Sequence, residues 1–225
     1  MSASQPVTID EIAAIPPFGL DAHLVVPGQA TGIVLFAHGS GSSRHSPRNT
    51  FVAHALTQAG IGTLLFDLLT PAEAEDRAMV FDVALLAERL VLATRWLLQR
   101  MDRVPLEIGY FGASTGAAAA LIAAASESSL VKAVVSRGGR PDLANRFLPH
   151  VRAPTLLIVG GDDRDVLALN RRALARMTCR TALQIVPNAG HLFEEPGALD
   201  QVIDGARSWF RQNFRKPGTG GSHVS

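Results

Sequence analysis

Ser114 stands between two glycines in Gly112-Ala113-Ser114-Thr115-Gly116, after the apolar run LEIGYF and before the alanine-rich TGAAAALIAAA. A G-x-S-x-G pentapeptide between a strand and a helix predicts a tight turn that holds the serine in a strained backbone conformation. The Thr115 amide would then open the helix, where unpaired N–H groups and the helix dipole favour negative charge. Such a serine is a nucleophile for acyl transfer only if a base can take its proton. His191, in PNAGHLFEEPG, follows the strand-like LQIVP and precedes the last helical stretch, so it can turn toward a crevice as that base. Asp163, in VGGDDRDV, also sits at a strand end and is placed to accept the other imidazole N–H. Asp162 and Asp165 compete for that role, the latter also as a helix cap.

An acyl-transfer site needs amides aimed at the developing oxyanion. FAHGSGSS (36–43) follows the first central strand, and Gly39 and Gly41 permit close backbone approach. The expected pair of donors is the Ser40 and Thr115 amides. His38 is expected to support this loop. A phosphate-binding reading fails because the loop lacks the Lys-Ser/Thr of a P-loop. Arg44, Arg137 and Arg140 fall in loops at the same end and are candidates for binding a substrate carboxylate or phosphate, as are the neighbouring His45 and Arg48. Pairing with nearby carboxylates is the alternative for each.

The elements that must position these residues are read from the hydrophobic pattern. Near-continuous apolar runs at 32–38, 61–66, 106–111, 131–136, 154–160 and 181–187 predict strands covered on both faces. Helical patterns at about 48–59, 79–100, 115–127, 165–178 and 197–214 alternate with them, the last carrying Val202, Ile203, Ala206, Trp209 and Phe210 as a stripe. This alternation predicts an α/β fold: a doubly wound, mostly parallel central sheet with helices on both faces and no large cap domain. VTI and LDAHLVVP near the start predict an antiparallel hairpin at one edge, and the acidic 68–82 a wall or small lid. In such sheets the ligand crevice lies at the carboxyl ends of the strands, which is where Ser114, Asp163 and His191 fall.

Composition narrows the class. With 47% hydrophobic and 18% charged residues the chain is globular, and its 225 residues suit one α/β domain over 1–215. KPGTGGSHVS (216–225) reads as a disordered tail. A net charge of +1 gives no reason to expect nucleic acid or a membrane as partner. One cysteine, Cys179, excludes an internal disulfide and a cysteine-rich metal site; no metal is expected. No secretory signal is visible at the start, so a soluble cytoplasmic protein, monomer or homodimer, is the expectation.

With these residues in place, the stretch from about 20 to 214 resembles the α/β-hydrolase superfamily, and specifically its small dienelactone hydrolase-like members. The resemblance rests on LFAHGSGSSRHSPRN, GYFGASTG, VVSRGGRPDLA, PTLLIVGGDDRDV and AGHLFEEPGAL. The order Ser114, Asp163, His191 is the one expected of α/β-hydrolases. The family's G-x-x-D-x-x-V pattern falls on Asp163, between Gly160 and Val166. Two departures stand out: true dienelactone hydrolases are understood to use a cysteine nucleophile and a glutamate in the oxyanion loop, whereas this chain has Ser114 and His38-Gly39-Ser40. What the resemblance implies is a cofactor-free serine hydrolase of small carboxylic esters or lactones. A thioesterase or acyltransferase on the same three residues, and a catalytically idle binding module, are the alternatives. A nucleotide-binding reading of GYFGASTG fails on spacing, since G-x-x-G-x-x-x-G is not G-x-G-x-x-G.

Overall fold

The computed structural model describes residues 7–101 and 106–214. The expected tail at 216–225 lies outside the described residues. Eight strands form one sheet in the order β1-β2-β4-β3-β5-β6-β7-β8. They are β1 (Val7–Ile15), β2 (Leu20–Pro27), β3 (Gly32–Ala37), β4 (Gly62–Phe66), β5 (Glu107–Ala113), β6 (Val131–Arg137), β7 (Thr155–Gly160) and β8 (Thr181–Val186). The six strands from β4 to β8 pair in parallel, while the β1–β2 hairpin joins antiparallel at the edge, β2 against β4. This is the α/β-hydrolase architecture expected.

The two-residue side-chain period of a strand sorts the core into two layers. On β3, Ile33, Leu35 and Ala37 join the layer under α4 (Val83–Arg100) and α5 (Thr115–Ser126). Val34 and Phe36 join the layer under α1 (Pro47–Gln58) and α7 (Ala198–Asn213). All of these strand residues are buried, which is why the sequence reads as apolar runs without alternation. The expected stripe on α7 is the buried face: Val202, Ile203, Ala206, Trp209 and Phe210. Phe210 lies over Gly109 of β5, where a Cβ would fall 2.7 Å from its ring. That aromatic burial contributes about 1.5–3 kcal/mol.

The chain leaves β3 for β4 on one side, then crosses back to β5 and continues through β6 to β8 on the other. The carboxyl ends of β3 and β5 therefore abut at the topological switch point, where a crevice forms between diverging loops. The helix expected over 79–100 is broken at Asp82 between α3 (Arg77–Phe81) and α4, and a further short helix, α2 (Pro71–Glu75), precedes them. Three caps restart the backbone. Thr70 and Glu73 close a capping box, the Asp76 carboxylate accepts from the Ala78 amide, and Asp82 accepts from Ala84 and Leu85. The helix expected over 165–178 is α6 (Arg164–Leu174), ending earlier. No helix among the described residues is long and apolar enough to cross a membrane.

Candidate active site

Ser114 sits between β5 and α5 with φ 51° and ψ −118°, a conformation of order 1–3 kcal/mol above the ordinary wells. It is held there by backbone. Its amide donates to Arg137 O at 3.2 Å, and its carbonyl accepts from the Ala117 and Arg140 amides at 3.1 Å each. The two glycines of the pentapeptide are required by close approach. A Cβ at Gly112 would lie 2.4 Å from Ala117 Cα, and one at Gly116 would lie 2.1 Å from Ala37 O. The small residues thus let α5 start directly against the ends of β3 and β5.

Asp163 occupies the N-cap position of α6, yet its side chain caps no helix amide. Instead its Oδ2 accepts from His191 Nδ1–H at 2.6 Å, which leaves Nε2 as the ring's free acceptor. The carboxylate is mostly buried and the imidazole half-exposed. Asp162 and Asp165 make no bond to the ring; the Asp162 amide donates to Ala189 O, and Asp165 lies in the first turn of α6. The histidine loop is pinned at both ends. Gly190 N–H donates to Glu195 Oε1 at 2.9 Å, and this and other backbone amides hold the Glu195 carboxyl below its usual range. Phe193 is buried beneath the loop.

Among the described residues, the non-glycine positions with positive φ are Ser114, Asn188 and Phe193. All belong to the nucleophile turn or the histidine loop, the pattern of strain gathered at a functional site. The two meet at Gly138 (φ +52°), where a Cβ would lie 3.5 Å from His191 Nδ1 and Cε1. Arg137, its neighbour, is the residue whose carbonyl holds the Ser114 amide. The Ser114 hydroxyl itself makes no hydrogen bond among the described residues.

The loop after β3 lies against the nucleophile: a Cβ at Gly39 would be 3.2 Å from Ser114 Cβ. The Ser40 amide does not stand free, because it donates to Thr115 Oγ1 at 2.9 Å. The Thr115 amide opens α5, where it has no intrahelical acceptor. His38 is a half-buried brace. Its Nδ1–H donates to Gly39 O at 3.1 Å and its Nε2 accepts from the Leu68 amide at 3.1 Å. Burial pushes its pKa below 6.5, which keeps it neutral in that role.

A cleft of about 760 Å³ opens beside this loop. Its lining includes Gly39 and Ser40 on one side, Ser46 and Pro47 at the start of α1, and Thr70 and Val80 from the capped segment. The 68–82 stretch is therefore a wall. Arg89 fastens it, reaching Glu73 at 2.6 Å while its guanidinium lies 3.3 Å from the Phe18 ring. The wall's dependence on Arg89 escaped the sequence reading, since nothing local marks a helix arginine as buried. Asn49, buried on α1, escaped it as well.

The three candidate arginines divide. Arg44 reaches Asp67 at 2.7 Å and Asp21 at 3.3 Å. Arg140 pairs with Asp142 through two bonds, at 2.9 and 2.8 Å, which raises the arginine's pKa and lowers the aspartate's. Arg137 pairs with no carboxylate among the described residues, its one hydrogen bond being a long one of 3.5 Å to Asn49 Oδ1. His45 is bonded only through its own amide, to Ser43 Oγ. Cys179 is half-buried, and burial pushes its thiol pKa up, away from nucleophile chemistry.

A dienelactone hydrolase from Anabaena variabilis is 54% identical, with a TM-score of 0.89 over 94% of this chain and 100% of its own. A Mycobacterium tuberculosis protein that carries the provisional name phosphoribosyl transferase is 55% identical over 98% of this chain. The chain spans about half the length of that curated relative, 50% of it. A dienelactone hydrolase-like promiscuous phosphotriesterase from metagenomic libraries shares the fold alone, with 15% identity and a TM-score of 0.74 over 93% of this chain and 100% of its own. No family model matches the chain.

Proposed function

Because the chain belongs to the dienelactone hydrolase-like family of α/β-hydrolases, we propose that it cleaves small carboxylic esters or lactones through an acyl-enzyme on Ser114. The observation that carries this reading is the His191–Asp163 bond of 2.6 Å on a ring that abuts Gly138, next to the carbonyl that holds the Ser114 amide. The hydroxyl rotates toward Nε2, His191 takes its proton, and Oγ attacks the carbonyl carbon. The imidazolium is stabilised by Asp163 and then protonates the leaving oxygen. Water next attacks the acyl carbon, giving one proton to His191. Nε2 returns that proton to Oγ as the acid is released.

The oxyanion of each tetrahedral intermediate accepts hydrogen bonds from the Thr115 and Ser40 amides. The Ser40 amide must then leave, or be shared with, Thr115 Oγ1. A charged oxygen is the stronger acceptor, so the exchange favours the intermediate over the bound ester. That is a useful direction for catalysis, since the interaction grows as charge develops. No cofactor or metal enters this scheme. The cleft bounded by Ser46 and Thr70 would take the remainder of a compact substrate.

The transferase name of the mycobacterial relative describes a chain about twice this length, and we place that activity outside the half matched here. The idle-module reading draws on one observation, the Ser114 hydroxyl without a hydrogen bond. A panel of p-nitrophenyl esters, lactones and thioesters tests the proposal. The wild type is expected to turn over short-chain esters or lactones fastest, and Ser114→Ala to lose roughly 10⁴- to 10⁶-fold in kcat. Retention of most activity by a folded Ser114→Ala chain would remove the nucleophile.

A further inference from the structure

The four residues 137–140, at the end of β6, touch both halves of the site. The Arg137 carbonyl accepts from the Ser114 amide at 3.2 Å, and the Arg140 amide donates to the Ser114 carbonyl at 3.1 Å. Between them, Gly138 lies against the base: a Cβ there would fall 3.2 Å from the His191 carbonyl and 3.5 Å from its ring. The Gly138 amide donates to Ile158 O of β7 at 2.8 Å. Gly139 alone of the four makes no backbone–backbone hydrogen bond among the described residues. A side chain holds it instead: Asn170 Nδ2 donates to Gly139 O at 3.0 Å.

Asn170 is fully buried on α6. Its Nδ2 also donates to Val166 O, one turn back in the same helix, at 2.8 Å. Both amide protons are therefore used, and a flipped side chain would set Oδ1 against two carbonyl oxygens. Oδ1 is buried and accepts nothing among the described residues, so the side chain is there for what it donates. Gly139 is closed in on its other sides. A Cβ on it would meet Ser136 Oγ at 2.0 Å and Ala117 Cβ at 2.7 Å, which leaves the loop no room to move toward β6 or α5. Asp163, which orients His191, stands at the N-cap of the same helix, about two turns before Asn170. One helix thus delivers the carboxylate to the base at its start and grips the loop that carries the nucleophile farther along.

We propose that Asn170 is a positioning residue for Ser114. By holding the Gly139 carbonyl it fixes the loop from which both backbone bonds of Ser114 are made, and so sets how Ser114 meets the His191 ring. It touches neither substrate nor the reacting atoms. The inference rests on the reading of Ser114 as the nucleophile and adds a residue that no local sequence signal marks. Its cost when lost is one of geometry, since a shift of about 1 Å between reacting groups lowers a rate by up to about 100-fold.

The test compares the wild type with Asn170→Leu, Asn170→Thr and Ala173→Gly, assayed well below the Tm of each. Leucine removes both bonds at similar size. Threonine keeps a hydroxyl able to reach Val166 O, as the Thr94 hydroxyl reaches Leu90 O at 2.8 Å on α4, but is too short for Gly139. Ala173, buried on α6, makes no side-chain hydrogen bond, and its change to glycine weakens the helix alone. Both Asn170 variants should lose about 10- to 100-fold in kcat on p-nitrophenyl butyrate with KM within about 3-fold, and their labelling by a fluorophosphonate at Ser114 should slow by a similar factor. Ala173→Gly should lower the Tm by roughly 2–4 °C with kcat and labelling rate unchanged. Folded Asn170 variants with wild-type kcat and labelling rate would overturn the assignment. So would an equal kinetic loss in Ala173→Gly, which would make the role one of stability. Should Asn170→Leu fail to fold, Asn170→Thr decides, and wild-type kinetics there count against the proposal. A wild type that labels at Ser114 yet hydrolyses no ester sinks the ester hydrolase reading alone, because the labelling rates still decide the role of Asn170. A wild type that takes no label removes the nucleophile and this inference with it.

Discussion

The nucleophile turn, the floor of the candidate site, and the wall of the cleft beside it are built in different ways. The floor, from Gly112 through Gly116, is fixed by backbone packed on backbone, with Gly112 and Gly116 filling spaces no Cβ could share. The wall, from Thr70 to Asp82, is held by side chains: three helix caps and the single Arg89–Glu73 pair. A backbone lock tolerates no substitution but sets the reacting atoms rigidly. A side-chain lock gives way by increments, so the wall can vary in sequence and shape while the floor cannot. His38 is the link between them, bonded to Gly39 on the floor side and to Leu68 at the root of the wall.

Breaking the floor's chemistry should have the largest effect. Asp163→Asn removes the acceptor that sets the His191 tautomer, and kcat for ester hydrolysis should fall about 10⁴-fold with the Tm little changed. A comparable loss in Asp165→Asn and little in Asp163→Asn would reassign the acid. Gly116→Ala forces a methyl against Ala37 O and should destabilise the fold by about 3 kcal/mol, seen as a Tm lower by roughly 6–12 °C. An unchanged Tm would mean that α5 can slide away from β3, and the backbone lock would not exist.

The link should reveal itself through pH. His38 is neutral in the native state because burial lowers its pKa, whereas in the unfolded chain it titrates near 6.5. Its folded pKa lies below the unfolded one, so its contribution is complete above pH 6.5 and is lost as pH falls toward the native value. That adds a slope of at most about 1.4 kcal/mol per pH unit. Denaturant midpoints of the wild type should therefore drop between pH 7 and 5, and His38→Gln should flatten that drop. Parallel curves for the two proteins would contradict the neutral brace. The smallest effect belongs to the wall: Thr70→Ala should lower stability by about 1 kcal/mol and change KM on bulkier esters more than kcat.

Much of the floor could be read in advance because strand-end position and residue type are local. GASTG, GGDD and AGH each follow an apolar run, and the structure brings Asp163 and His191 into contact. The β1–β2 hairpin was equally readable from VTI and LDAHLVVP. What stayed hidden depends on partners distant in sequence. Asp21, on β2, and Asp67, after β4, neutralise Arg44, and no local pattern announces either. The positive φ of Asn188 and Phe193 falls on residues that give no glycine signal. The Thr115 hydroxyl as acceptor for the Ser40 amide is another case, since it requires β3 and α5 to be docked before the two can meet. The break at Asp82 had a signal, an aspartate able to cap, but the apolar periodicity over 79–100 outweighed it.

The account turns on one nucleophile, and a fluorophosphonate probe addresses it most directly. Incubation of the folded chain with the probe, followed by peptide mass spectrometry, should place a single covalent adduct on Ser114. The adduct should vanish in Ser114→Ala and form far more slowly in His191→Ala. A folded wild type that takes no label, or one labelled at a residue other than Ser114, would contradict the account.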